Sequence, residues 1–367
     1  MSLWVVVGGQ FGSEGKGKIA AHIAVRESID ICIRCGGPNS GHSVTTPDGT
    51  VVLRQIPTGY INPATRLLIP AGALINLNVI KDEIERFKVD PVRIGIDHKT
   101  MVIEEKDQQF ESDLKLQERL SSTLCGVGSA VARRVLRGAD VRLARDAASV
   151  HPWLKPLLTD VSVEANSALD RNQRVLVEGT QGFGLSLYHA DPYPKTTSRD
   201  TTAAAFLSEV GLSPALVTEI VLVLRTFPIR VAGKQAGPLH QEISWDTLQS
   251  ESRYPWPIVE RTSVTNKIRR IGRFDWQLAK AAVRCNRPTK LAINCLDYLD
   301  YRDLGCTNFG FLSDASKQMA LELETQLGVP IAFCGVGPAV RNLIEPTRVS
   351  DLRGESLVLG EQISHAR

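Results

Sequence analysis

An apolar run, Leu3-Trp4-Val5-Val6-Val7, breaks into Gly8-Gly9-Gln10-Phe11-Gly12-Ser13-Glu14-Gly15-Lys16-Gly17-Lys18 and leaves as Ile19-Ala20-Ala21-His22-Ile23-Ala24. The first run reads as a buried strand and the last as a helix. Glycines between them let the backbone curl, so that successive N–H groups point into one concavity, and the helix start adds partial positive charge there. Lys16 and Lys18 at the exit suit a polyphosphate. The loop is not a Walker A sequence, which needs glycine at Gln10 and Ser or Thr at Gly17. A plain strand–turn–helix corner is the simpler alternative. Five glycines in ten residues and two lysines favour phosphate binding.

Beyond this corner, β-branched runs alternate with amphipathic stretches, the pattern of an α/β protein with a central, largely parallel sheet flanked by helices. Strands are expected at Leu3–Val7, Ile29–Arg34, Val51–Ile56, Arg66–Ile69, Val92–Ile96, Arg174–Val177, Val217–Leu224, Lys290–Cys295 and Ile331–Phe333. Helices are expected at Lys16–Val25, Asn76–Phe87, Gln108–Leu120, Ser129–Leu136, Pro156–Leu169, Asp275–Val283 and Asp314–Leu327. No repeat or flexible linker interrupts the pattern, which predicts a single domain over residues 1–367. Long polar, glycine-rich connections at Gly36–Asp48, Leu124–Gly128, Gly179–Asp200, Ala232–Leu239 and Arg261–Gly272 are expected to converge on one large site.

The function classes left open are narrow. With 23% charged residues and a net charge of +3, nothing marks a nucleic-acid-coating or membrane-surface protein. The longest apolar stretch, Ile220–Leu224, stops at Arg225, and no basic, apolar and small-residue leader opens the chain. Seven cysteines without a C-x-x-C pair imply reduced thiols in a cytosol. The expectation is a cytoplasmic protein with small-molecule substrates.

Further constellations follow strands. Gly36-Gly37-Pro38-Asn39-Ser40-Gly41-His42 offers an imidazole that titrates near neutrality and an amide that reads a polar ring edge. By itself His42 reads more simply as a packed histidine. Val177-Glu178-Gly179-Thr180-Gln181-Gly182 puts Gln181 at a strand end. Pro194-Lys195-Thr196-Thr197-Ser198-Arg199-Asp200-Thr201-Thr202 supplies hydroxyls before a helix, for capping or for phosphate. Thr265-Asn266-Lys267-Ile268-Arg269-Arg270 fits a carboxylate-rich small molecule, or a solvated basic face.

Taken in order, these segments resemble the adenylosuccinate synthetase family over nearly the whole chain. Its G-x-Q-W-G-D-E-G-K-G-K is similar to Gly8–Lys18, its G-G-x-N-A-G-H-T to Gly36–Ser43, its E-G-A-Q-G to Glu178–Gly182 and its T-T-G-R-G-I-G to Ser122–Gly128. The resemblance implies a two-step ligase: the γ-phosphate of a nucleoside triphosphate moves to O6 of a 6-oxopurine monophosphate, and aspartate nitrogen then displaces it at C6. It implies that Gly12, Glu14, Gly15, Lys16, Gly17, Lys18, Gly41, His42, Asp297, Gly335 and Gly337 bind the triphosphate. Ser13, Lys16, His42 and Gln181 would be catalytic, with Ser13 and the Gly41 carbonyl holding Mg²⁺. Ser13, Asn39, Ser122, Thr123, Gln181, Thr197 and Val231 would line the monophosphate site, which Arg133 reaches across a homodimer interface. Thr265, Lys267 and Arg269 would hold aspartate.

Three departures from the family pattern refine this. Ser13 replaces the aspartate that takes the purine N1 proton, a replacement that marks a phage branch resembling this chain, the 2-amino-2′-deoxyadenylosuccinate synthases. Their purine is dGMP, whose 2-amino group the smaller Ser13 would admit; a phage-encoded chain would act in the host cytoplasm. An ordinary synthetase acting on IMP with GTP and an inactive nucleotide-binding paralogue are the alternatives. In the aspartate loop, Lys267 stands for an arginine and cannot make its planar bidentate contact. Asn294-Cys295-Leu296-Asp297 replaces the guanine-reading T-K-L-D, so the loss of lysine at Cys295 makes ATP or dATP plausible beside GTP.

Overall fold

The computed structural model describes residues 2–262 and 266–346, and the expected aspartate ligand Thr265 lies outside them. A ten-stranded sheet runs through its centre. In chain order its strands are β1 (Ser2–Gly8), β2 (Ile31–Arg34), β3 (Arg66–Ile69), β4 (Ile94–Asp97), β5 (Leu158–Thr159), β6 (Arg174–Glu178), β7 (Glu219–Arg225), β8 (Lys290–Asn294), β9 (Ile331–Gly335) and β10 (Leu343–Ile344). Their spatial order is β10-β9-β8-β7-β1-β6-β2-β3-β4-β5. All neighbours are parallel except the β9–β10 pair at one edge.

Strand β1 is central because both of its faces are covered, which is why its sequence is an unbroken apolar run. Leu3, Val5 and Val7 enter one core layer with Val177, Leu222 and Phe206. Trp4 and Val6 enter the opposite layer, where Ile19 and Ile23 of helix α1 (Lys16–Arg26) pack against them. Helices on both faces leave only strand ends for polar chemistry. The carboxyl ends of β1, β2, β6, β7, β8 and β9 share one edge, where a parallel sheet gathers its loops. Register alone puts Glu178 beside Arg34, and Asn294 beside Arg225, along that edge.

Most expected elements are present, and the differences have local causes. Val51–Ile56 is not a sheet strand: Gly49–Leu53 pairs with His42–Thr46 in a separate hairpin, turned at Pro47-Asp48 before Gly49. The helix expected over Gln108–Leu120 is two, Glu105–Asp113 and Leu116–Leu120, divided at Lys115 with φ +51°. The one expected from Pro156 begins at Val161, where Asp160 caps it by accepting from the Val163 N–H at 3.0 Å. The helix expected after Thr202 is present as Ala203–Val210, capped by the Thr202 hydroxyl, while no expected element corresponds to Trp245–Ser252. Among the described residues no helix is long and apolar enough to cross a membrane. All seven cysteines are free.

Candidate active site

The loop after β1 is shaped by a carboxylate buried inside it. Glu14 is 1% exposed; its Oε1 accepts from the Gln10 N–H at 3.1 Å and the Gly12 N–H at 2.8 Å, and its Oε2 meets Lys16 Nζ at 2.5 Å. Expected as a triphosphate ligand, Glu14 therefore has both oxygens engaged with the loop itself. The glycines are needed because the chain closes on its own charged groups. A Cβ on Gly8 would lie 2.7 Å from Lys16 Nζ, Glu14 Oε2 and the Gln181 carbonyl, and one on Gly182 would lie 2.3 Å from Glu14 Oε1. Gly15, at φ +94°, starts α1 with no side-chain cap, leaving the helix N-terminus open to an anion.

His42 opens the hairpin and rests on Gly17, where a Cβ would come within 2.7 Å of its own Cβ. Its Nδ1 is hydrogen-bonded to Glu178 Oε1 at the end of β6. Glu178 is fully buried and also accepts from Arg34 Nη1 at 3.1 Å and the Thr58 N–H at 2.7 Å. These partners hold its carboxyl below the usual range despite burial. Burial, with the Arg34 charge second, pushes His42 down to about 4. The neutral ring thus donates Nδ1–H to Glu178 and keeps its other nitrogen, Nε2, as an acceptor.

This has a consequence for stability. Between about pH 6.5 and 4 the unfolded chain binds a proton at His42 that the folded protein refuses, so stability falls with acid across that window. Fully expressed, the effect is on the order of 3 kcal/mol. Urea melts at pH 4.5 and 7 should show the loss for the wild type and a smaller one for His42→Asn. Equal losses would place the acid sensitivity elsewhere.

Among the described residues the loops line two cavities, of about 620 and 360 Å³, and the first loop borders both. The larger brings together Ser13, Glu14, Gly15, Lys16, Gly17, Lys18, Gly41, His42, Arg269, Asp297 and Gly337 of the expected residues. The smaller brings together Asn39, Ser122, Thr123, Gln181, Thr197 and Val231. Gln181 Nε2 donates to Asn39 Oδ1 at 3.2 Å, so the two amides expected to read a purine are one unit. Between the cavities stands the first loop: a Cβ on Gly12 would lie 3.7 Å from Gln181 Cα. Ser13, expected at the monophosphate too, lines only the larger cavity.

Several expected residues line neither cavity. Gly12 and Gly335 are backbone supports; a Cβ on Gly335 would strike Asn294 Oδ1 and come 2.6 Å from Lys18 Nζ. Lys267 is exposed. The Arg133 guanidinium is held by Asp107 at 2.8 and 2.7 Å, Glu104 at 3.3 Å and Asp140 at 3.3 Å, away from both cavities of its own chain.

Other site residues went unread. Arg225, 1% exposed at the end of β7, donates to the Ser13 carbonyl at 3.0 Å and pairs with Glu260. The signal was present as the charge that ends an apolar run. Arg230 lies 4.4 Å from the Phe11 ring centre, and both line the smaller cavity. Left-handed, non-glycine backbone also occurs here, as at several turns elsewhere: Ser13 (φ +57°) and Cys295 (φ +64°) line the larger cavity and Ser121 (φ +57°) and Gln181 (φ +55°) the smaller. Held strain of this kind concentrates at binding sites.

A glycine-rich loop at an open helix start, a buried carboxylate–histidine pair and a second cavity bordered by the same loop suit phosphoryl transfer between two bound substrates. The sequence pattern of adenylosuccinate synthetase matches residues 5–147 and 140–305. The chain is 40% identical over 349 residues to the adenylosuccinate synthetase of Thermococcus sibiricus, covering 94% of this chain and 98% of that one. It is 39% identical over 345 residues to that of Pyrococcus horikoshii, covering 93% and 97%. Among solved structures it resembles the fully ligated Plasmodium falciparum adenylosuccinate synthetase, with a TM-score of 0.83 at 21% identity, over 94% of this chain and all of that one. It also resembles the succinoaminodeoxyadenylate synthetase of cyanophage S-2L, solved with dGMP and with dATP as an energy donor. That match has a TM-score of 0.79 at 25% identity, over 96% and 97% of the two chains. With likeness of this extent joined to that site, the chain belongs to the adenylosuccinate synthetase family and is a ligase that forms a C–N bond.

Proposed function

We propose that this ligase joins L-aspartate to C6 of dGMP at the expense of a purine nucleoside triphosphate, giving N6-succino-2-amino-2′-deoxyadenylate. The observation that carries the reading is Ser13, a small hydroxyl residue in a phosphate loop otherwise intact from Gly8 to Lys18. A decayed site would have no need to keep Lys16, His42, Glu178 and Gln181 in register. The triphosphate occupies the larger cavity, with its phosphates at Lys16 and the open start of α1. The monophosphate occupies the smaller one, with its phosphate among Ser122, Thr123, Thr197 and Arg230 and its 6-position at Gln181.

In the first step O6 of the purine bonds to the γ-phosphorus, the nucleoside diphosphate leaves with the electrons of the broken P–O bond, and the purine N1 proton passes to a phosphate oxygen. Nε2 of His42 faces the transferring phosphoryl group, and the incoming negative charge raises its proton affinity so that it donates there. In the second step the aspartate amine bonds to C6, inorganic phosphate departs with the O6 electrons, and the amine proton is lost. Arg269 supplies charge for an aspartate carboxylate.

The donor set also fits Mg²⁺. With Glu14 committed to the loop, Ser13 and the Gly41 carbonyl are the oxygens left to hold it, and Mg²⁺ takes few protein ligands beside phosphates. When bound it neutralises charge on the triphosphate. A homodimer in which Arg133 leaves Asp107 for the neighbouring monophosphate belongs to this reading. The runner-up is synthesis of adenylosuccinate from IMP, favoured by the name and identity of the archaeal relatives. Turnover of dGMP and IMP, each with aspartate and a triphosphate, tests the choice.

A further inference from the structure

In the larger cavity an aromatic cluster closes on Asp297. Tyr254 donates its hydroxyl to Asp297 Oδ2; both residues are buried and line the cavity. Trp256 meets Tyr254 and Tyr301 edge-on, at ring distances of 5.8 and 5.2 Å, remains 48% exposed and lines the cavity. Neither aromatic residue belongs to any segment singled out in the sequence. Both lie on the strap that runs from helix Trp245–Ser252 to Glu260, which is anchored on Arg225.

From this geometry we infer that Tyr254 sets which purine the triphosphate carries, by occupying one oxygen of Asp297, and that Trp256 stacks on that purine. The inference rests on reading the larger cavity as the triphosphate site. Guanine presents two adjacent donors, N1–H and the 2-amino group, and a carboxylate reads them best with both oxygens free. Adenine presents one donor, the 6-amino group, beside an acceptor. With Oδ2 turned to the tyrosine, Asp297 offers Oδ1 to a single donor, which matches adenine. The indole adds stacking that any purine shares. Tyr254 thereby selects, while Trp256 holds.

Binding of ATP, dATP and GTP, measured by titration calorimetry without a monophosphate present, tests both roles. The wild type should bind ATP and dATP at least about tenfold more tightly than GTP. Tyr254→Phe frees Oδ2 and should bring GTP to within about threefold of ATP, mainly by gaining GTP. Trp256→Ala should weaken all three by about tenfold and leave their ratio unchanged. A ratio untouched by Tyr254→Phe, in a variant with an unaltered melting temperature, overturns the selecting role. Preference of the wild type for GTP overturns it as well. Unaltered binding by Trp256→Ala removes the stacking role. Because dGMP is absent, an enzyme that proves to use IMP can still show the Tyr254 effect, which separates the two readings. Failure of the wild type to bind any triphosphate sinks both.

Discussion

Replacing His42 by alanine will lower kcat by about 10²–10³-fold while leaving the KM for each substrate within a few-fold of wild type. In the proposed mechanism the ring acts on the transferring phosphoryl group through Nε2; the structure shows Nδ1 hydrogen-bonded to Glu178. The variant should fold, because Glu178 keeps Arg34 and the Thr58 N–H as partners. Its loss therefore falls on the transition state rather than on binding. Steady-state kinetics at saturating aspartate provide the check. A near-normal kcat would return His42 to a packing residue.

Changing Ser13→Asp will reverse the choice of monophosphate: kcat/KM for dGMP should fall by about tenfold or more, and that for IMP should rise. The backbone tolerates the change, since Ser13 sits at φ +57° and aspartate accepts that region more readily than serine. The Arg225 contact is to the Ser13 carbonyl and survives the substitution. What changes is the bulk and charge on the loop between the two cavities, two residues from Phe11, which lines the smaller one. Equal or better dGMP turnover by the variant would remove the steric account of Ser13.

Much of this site was legible because its parts end strands. An apolar run closing on glycine locates β1 and the phosphate loop. The same logic finds Glu178 and Gln181 after β6 and Asn39 and His42 after β2. What could not be read is pairing across sequence distance. Arg34 and Thr58 reach Glu178 from 144 and 120 residues away, and Tyr254 reaches Asp297 from 43. No periodicity links such residues; only the sheet order brings them together. The sequence groups Glu14 with the expected triphosphate ligands and does not show that the loop's curl turns its carboxylate inward to take two of the loop's own N–H groups. The same curl lets the first loop line both cavities, the larger through Ser13 to Lys18 and the smaller through Phe11.

The measurement that reaches the central claim most directly is kcat/KM for dGMP and for IMP, with aspartate, Mg²⁺ and ATP held fixed and the purine product identified by mass. Ser13 in an intact phosphate loop predicts that dGMP is preferred by at least about a hundredfold, roughly 2.7 kcal/mol, and that its product is the 6-succinyl adduct retaining the 2-amino group. Preference for IMP, with adenylosuccinate as the product, would contradict it.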